Sequence, residues 1–154
     1  MPALRPSVRV RMVATQDLSD LARLDHEIFP DDPYPFSVLR QFMDTFAGHL
    51  LVAEGGGGLC GYVLATPPNA GESWIFSLGV APASRRQGLG RQLMSETLTR
   101  LRGEGTRTVL LWVDPCNVQA VTLYESLRFA PDPAGPRTDH FGPGEHRLLM
   151  RLAL

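Results

Sequence analysis

The chain has 154 residues, 44% of them hydrophobic and 20% charged, a balance that suits a single globular domain with a substantial core and excludes a wholly disordered chain. Its formal net charge is −1 and its basic residues form no run, which excludes a general electrostatic attraction to nucleic acid. No stretch approaches the ~20 apolar residues of a membrane span, and the residues from Met1 to Pro6 lack the apolar core of a secretion signal. A cytoplasmic protein without nucleic-acid or membrane partners, monomer or homodimer, is the expectation. Cys60 and Cys116 show no metal-ligand spacing, so no metal site is expected and Cys116 reads as a small buried thiol.

Val8 to Val13 alternates apolar residues with arginine, the pattern of a half-buried first strand. Thr15-Gln16-Asp17 supplies a cap, and Leu18, Leu21, Leu24 and Ile28 fall at helical spacing from Asp17 to Phe29. Three prolines then stiffen Phe29-Pro30-Asp31-Asp32-Pro33-Tyr34-Pro35. This loop reads as a binding lip with exposed aromatics or as a rigid interhelix turn. Ser37 caps a second short helix carrying Val38, Leu39, Phe42 and Phe46.

His49 to Glu54 and Leu59 to Ala65 read as strands joined by a hairpin turn of four glycines, Gly55 to Gly58. Thr66 to Gly71 is a loop, and Glu72 to Val80 a central strand. A helix from Gly88 to Arg102 ends at Gly103. Thr106 to Val113 is a fifth strand, Gln119 to Ser126 a fourth helix and Arg147 to Leu154 a terminal strand. This order implies a mixed α/β sheet in one domain, residues 1–154.

The segment between the central strand and its helix carries the chemistry. In Arg85-Arg86-Gln87-Gly88-Leu89-Gly90-Arg91 the two glycines let the backbone bend so that an anion can approach the free N–H groups of the first helical turn. Those donors, the helix dipole and three guanidinium groups favour a multiply charged anion such as pyrophosphate. A Walker loop requires a lysine, and the chain has none; a dinucleotide fingerprint requires a third glycine where Leu93 stands. What remains is Arg-x-x-Gly-x-Gly behind Val80-Ala81-Pro82. A second block follows the fifth strand: Asn117, then Ala120-Val121-Thr122-Leu123-Tyr124, then Arg128-Phe129.

With these two linked motifs the sequence resembles the GCN5-related N-acetyltransferases, most of all their ribosomal-protein and N-terminal branch. The resemblance implies a GNAT-type, mostly antiparallel sheet of six to seven strands with splayed central strands and about four helices. It implies acetyl-coenzyme A as cofactor, held by Leu78, Gly79, Val80, Arg85, Arg86, Gln87, Gly88, Leu89, Gly90, Arg91, Asn117 and Tyr124. It also implies a direct attack by a primary amine in a ternary complex. By family position the backbone N–H of Leu78 polarises the acyl carbonyl, and Tyr124 donates a proton to the departing thiolate. Phe29, Pro30 and Tyr34 stand where relatives contact a peptide acceptor.

The positions at which relatives carry a general base hold Trp74 and Trp112, and indole does not accept a proton usefully. Deprotonation then runs through water, through Asp114, Glu72 or His140, or occurs before binding. The two tryptophans read as an apolar or cation-binding acceptor wall or as core residues. His140 lies in a polar loop that covers the acceptor in relatives. The acceptor reads as a protein or peptide N-terminus; a small amine such as a polyamine, amino acid or drug is the alternative, and a non-catalytic acyl-coenzyme A binding module is the reading from another class. Arg128 replaces the family's usual glycine before Phe129, which leaves the local turn open.

Overall fold

The computed structural model describes residues 7–154, so the expectation for Met1 to Pro6 lies outside the described residues. The elements are β1 (Arg9–Met12), α1 (Leu18–Ile28), α2 (Phe36–Phe46), β2 (Leu50–Gly55), β3 (Gly58–Ala65), β4 (Glu72–Val80), α3 (Leu89–Gly103), β5 (Thr108–Val113), α4 (Val118–Ser126), β6 (Ala130–Pro131) and β7 (Leu148–Ala153). Among the described residues, seven strands and four α-helices meet the expected fold class. Hydrogen-bonded neighbours follow the order β1-β2-β3-β4-β5-β7-β6. The β1·β2, β2·β3, β5·β7 and β6·β7 pairs are antiparallel and β4·β5 is parallel.

By contact density the chain divides into two units, the first holding the residues up to Ala65 with Ser77–Thr97 and the second Thr66–Phe76 with Leu98–Leu154. In the first, Leu18, Leu21 and Leu24 of α1 and Leu39 and Met43 of α2 pack with Leu50, Val52, Tyr62 and Leu64 of β2 and β3. The apolar stripes read from the sequence are thus the buried faces. Strand and helix limits shift by a residue or so from expectation, and two helix starts differ in what holds them. Asp17 belongs to a 3₁₀ turn, Thr15–Asp17, where its carboxylate accepts the Ala14 N–H at 2.7 Å and is gripped by Arg11 at 2.7 and 2.9 Å. Helix α2 starts one residue before Ser37 with Pro35 as its cap position and no side-chain cap, the Pro35 carbonyl accepting the Val38 and Leu39 N–H groups at 2.9 and 3.1 Å.

In the second unit β5 pairs with β7 from Thr108↔Ala153 to Val113↔Leu148, and Val109, Leu111, Met150 and Leu152 are buried. The parallel ladder of β4 on β5 runs from Glu72↔Thr108 to Ile75↔Leu111. Strand β6 has only two residues, held against Met150 and Arg151, and sequence reading passed over it. Thr106 precedes β5 and is buried, its hydroxyl bonded to that of Ser73 at 2.8 Å. Cys60 is half-buried, with burial pushing its thiol pKa up, whereas Cys116 is exposed and so corrects the expectation of a buried thiol. It lies in a surface turn, its N–H bonded to the Asp114 carboxylate at 2.9 Å. No helix among the described residues is long and apolar enough to cross a membrane.

Candidate functional site

In the first unit the end of β4 runs through a 3₁₀ turn, Pro82–Ser84, into the loop before α3. Arg86 and Gly88 both take left-handed backbone, φ 64° and 76°, so the chain turns sharply twice before the helix. The first helical bond there is from Gln92 N–H to the Gly88 carbonyl, 3.0 Å. The N–H groups of Leu89 and Gly90 precede it, where a helix start offers no internal acceptor. Leu89, Leu93 and Met94 are buried and anchor the turn; Arg85, Arg86, Gln87, Gly88 and Arg91 are exposed. A Cβ built on Gly88 meets no heavy atom within 4 Å. The concave backbone is therefore open on the side where a phosphate would approach.

Two details of this cradle were not legible in the motif. Arg85 folds back so that its Nε donates to the carbonyl of Val80 at 3.2 Å, fastening the loop to the strand end. The glycine hairpin between β2 and β3 lies beside it, and Gly56, Gly57, Cys60, Arg85 and Gln87 are among the residues lining a groove of about 620 Å³.

The proline-stiffened lip is also in this unit. Phe29 closes α1, its N–H donating to the Asp25 carbonyl at 2.8 Å; Phe29 and Tyr34 are half-buried and Pro30 is exposed. Tyr34 stands edge-on to Phe42, ring centroids 5.2 Å apart at 87°, and burial, then the charges of Asp25 and Asp32, push its phenol pKa up. Gly79 is what lets β4 pass under this lip: a Cβ there would lie 2.9 Å from Ile28 Cδ1 and 3.3 Å from Phe29 Cε2. Leu78 and Val80 flank it, both half-buried.

Behind the lip is a group that sequence reading missed. The Asp25 carboxylate accepts the Tyr34 N–H at 2.7 Å and the Tyr62 hydroxyl, and Tyr62 Oη lies 2.8 Å from Ser77 Oγ on β4. The signal was present in part: Asp25 sits on the same helical stripe as Leu18, Leu21 and Ile28, where a charge requires partners.

In the second unit Asn117 caps α4, its side-chain oxygen accepting the Ala120 N–H at 3.2 Å; the amide NH₂ is the part left to hold a ligand. Tyr124 is buried on α4, 5.8 Å from the Phe129 ring, and burial pushes its phenol pKa up to about 12. Arg128 occupies a left-handed C-terminal turn with φ 79°. The Phe129 N–H reaches the Tyr124 carbonyl at 3.0 Å and the Arg128 N–H that of Glu125 at 2.9 Å. The turn a glycine normally makes is therefore kept by arginine.

Trp74, Trp112 and His140 do come together. Trp74 pairs in register with Leu110, so Trp112, two residues on, shares its face of the sheet. The indoles stack at 6.3 Å and 22°, and His140 lies 4.0 Å from Trp112. Phe141 continues the stack 5.6 Å from His140. Arg137 sits over Trp112 at 5.5 Å while paired with Asp132 at 2.8 Å, so this wall already carries a cation of its own. The loop holding His140 is pinned by Asp139, which donates its N–H to His146 Nδ1 at 3.0 Å and accepts from Gly144 at 2.7 Å.

Comparison with known proteins identifies the family and the fold. The acetyltransferase (GNAT) family matches residues 15–129. The N-alpha-acetyltransferase RimI of Mycobacterium tuberculosis is 32% identical over 135 residues, covering 84% of this chain and 82% of that protein. A mycothiol acetyltransferase of Saccharopolyspora erythraea is 30% identical over 136 residues, and the match covers 82% of this chain and 45% of that longer protein. The structure of yncA from Salmonella typhimurium, solved with its cofactor acetyl-CoA, superposes with a TM-score of 0.81 at 19% identity, over 96% of this chain and 94% of that one.

Proposed function

The chain belongs to the acetyltransferase (GNAT) family, and from that membership we propose that it transfers an acetyl group from acetyl-CoA to the N-terminal amine of a protein or peptide by direct attack in a ternary complex. The observation that carries the acceptor is the lip of Phe29, Pro30 and Tyr34, tied down by Asp25 and seated on Gly79 beside Leu78. An extended peptide end needs such a rigid, partly apolar rim. Likeness to an N-alpha-acetyltransferase over most of both chains supports it.

The residues present fit the cofactor. The open space above Gly88 and the N–H groups at the start of α3 suit its pyrophosphate, with Arg85, Arg86, Gln87 and Arg91 supplying charge and hydrogen bonds. When bound, acetyl-CoA supplies an activated acyl carbon. By family position the Leu78 N–H would polarise the acyl carbonyl, the main chain at Gly79 and Val80 would pair with the pantetheine arm, and the Asn117 amide would contact that arm as well. Tyr124 stays a neutral hydroxyl, its pKa raised to about 12 by burial, and stabilises the departing sulfur by donating a hydrogen bond. Burial holds the phenol well above the ordinary thiol range, so full transfer to a thiolate is uphill and the hydrogen bond is the larger part of its contribution.

A second reading, a small-molecule amine as acceptor, is favoured by the match to mycothiol acetyltransferase and by the stacked Trp74, Trp112 and His140, which suit a compact pocket wall. Release of free thiol from acetyl-CoA, measured on a panel of peptides with different N-termini and a panel of small amines, separates the two. Activity confined to peptides is expected. Activity confined to small amines establishes the second reading, and coenzyme A binding without release on either panel identifies a non-catalytic binding module.

A further inference from the structure

We propose that the chain Ser77–Tyr62–Asp25 carries away the proton that the acceptor amine loses, with Ser77 Oγ as the atom that meets the amine. The inference rests on the acetyl-transfer reading above and supplies the base that Trp74 and Trp112 do not provide.

The direction of the chain follows from counting protons. A carboxylate only accepts, so the Tyr62 hydroxyl donates to Asp25. A phenol has one proton, so across the 2.8 Å contact with Ser77 Tyr62 accepts and Ser77 donates. With its own proton aimed inward, the Ser77 oxygen keeps two lone pairs as an acceptor. Asp25 and Tyr62 are each 1% exposed, whereas Ser77 is half-buried. The chain thus has one end in the interior and one at the surface.

The surface end is where an acceptor would arrive. Ser77 and Gly79, two apart on β4, share one face of the strand, and it is on this face that Ile28 and Phe29 of the lip pack. Burial and the bond to Asp25 push the Tyr62 pKa far above the ordinary phenol range. Tyr62 therefore does not ionise by itself; it passes a proton on only while receiving another.

The step balances. As the N–C bond forms, the nitrogen's surplus proton goes to Ser77 Oγ, the Ser77 proton to Tyr62 Oη and the Tyr62 proton to Asp25. The C–S bond breaks with its electron pair on sulfur, whose proton comes from water. Asp25 later returns its proton to water through the same chain in reverse.

The test compares wild type, Ser77→Ala, Ser77→Thr, Tyr62→Phe and the double variant Ser77→Ala/Tyr62→Phe on a short peptide with a free N-terminus and on spermidine, with acetyl-CoA affinity followed by calorimetry. Ser77→Ala should lower kcat on the order of 100-fold, within the usual range for a general base, while acetyl-CoA affinity holds. Ser77→Thr should keep most of the rate, because it keeps the hydroxyl. Tyr62→Phe should match Ser77→Ala, and the double variant should lose no more than either single one, as members of one chain do. Losses that multiply, or a folded Ser77→Ala enzyme with wild-type kcat, overturn the relay. Should Tyr62→Phe fail to fold, the Ser77 pair decides alone. A wild-type enzyme that acetylates neither probe overturns the acetyl-transfer reading and the relay with it, which separates that failure from a failure of the relay alone.

Discussion

Tyr34 gives its backbone N–H to the carboxylate of Asp25 at 2.7 Å, so the loop that follows α1 is fastened to a charge buried in the last turns of that helix. A carboxylate there is opposed by burial and by the negative end of the helix dipole. The hydrogen bonds from Tyr34 and Tyr62 offset both, at the cost of making each partner dependent on the others.

Asp25→Ala would leave the Tyr34 N–H and the Tyr62 hydroxyl without their acceptor, and the expected loss is about 2–4 kcal/mol of stability in urea unfolding. The lip should loosen before the whole unit melts, visible as faster amide exchange at Tyr34. A loss under about 1 kcal/mol would show that the carboxylate is not what holds the lip.

At Arg128 the backbone is held against preference. Its φ of 79° lies in the left-handed region, which costs a residue with a Cβ roughly 1–2 kcal/mol and glycine almost nothing. Arg128→Gly should therefore raise stability by about 1 kcal/mol after glycine's greater unfolded-state entropy is subtracted, and leave acetyl-CoA affinity unchanged. A destabilised variant would mean that the Arg128 side chain makes a contribution larger than the strain.

These two sites mark how far the sequence could be read. The cradle was legible because all its parts are neighbours: strand end, Gly88, Gly90 and helix start lie within one short segment. Most helix and strand limits fell within two residues of expectation because the apolar periodicity is strong in α1, α2 and β4. The Asp25 group was not legible, since its members come from α1, β3 and β4, with Tyr62 37 residues beyond Asp25 and no local pattern linking them. Strand β6 escaped notice for the same reason, its two residues having no period and existing only through β7. The stack of Trp74 on Trp112 required the parallel register of β4 and β5, which single-strand patterns do not contain.

Gly88 separates strain from obstruction in the cradle. Its φ of 76° penalises any side chain, while the space around a Cβ is empty to 4 Å. Gly88→Ala should then cost about 1 kcal/mol of stability and reduce acetyl-CoA affinity modestly. Gly88→Trp should abolish binding by filling the concavity. Calorimetry that finds the tryptophan variant binding as tightly as wild type would remove the pyrophosphate from this loop.

Tyr124→Phe tests the hydroxyl alone, because the ring that packs on Phe129 is kept. Turnover should fall about 10- to 100-fold while acetyl-CoA affinity and stability stay near wild type, the signature of an interaction made in the transition state. The pH dependence sharpens the test. Burial raises the Tyr124 pKa from 10.0 to about 12, so the donor proton is fully present below the ordinary value and is lost only as pH rises through the raised one. The wild-type to Tyr124→Phe ratio of kcat should accordingly stay constant between about pH 7 and pH 10, the region below that loss. A ratio that shrinks toward one across this window would mean that the hydroxyl ionises there, and that it neither lies in the buried setting described nor serves as the donor to sulfur.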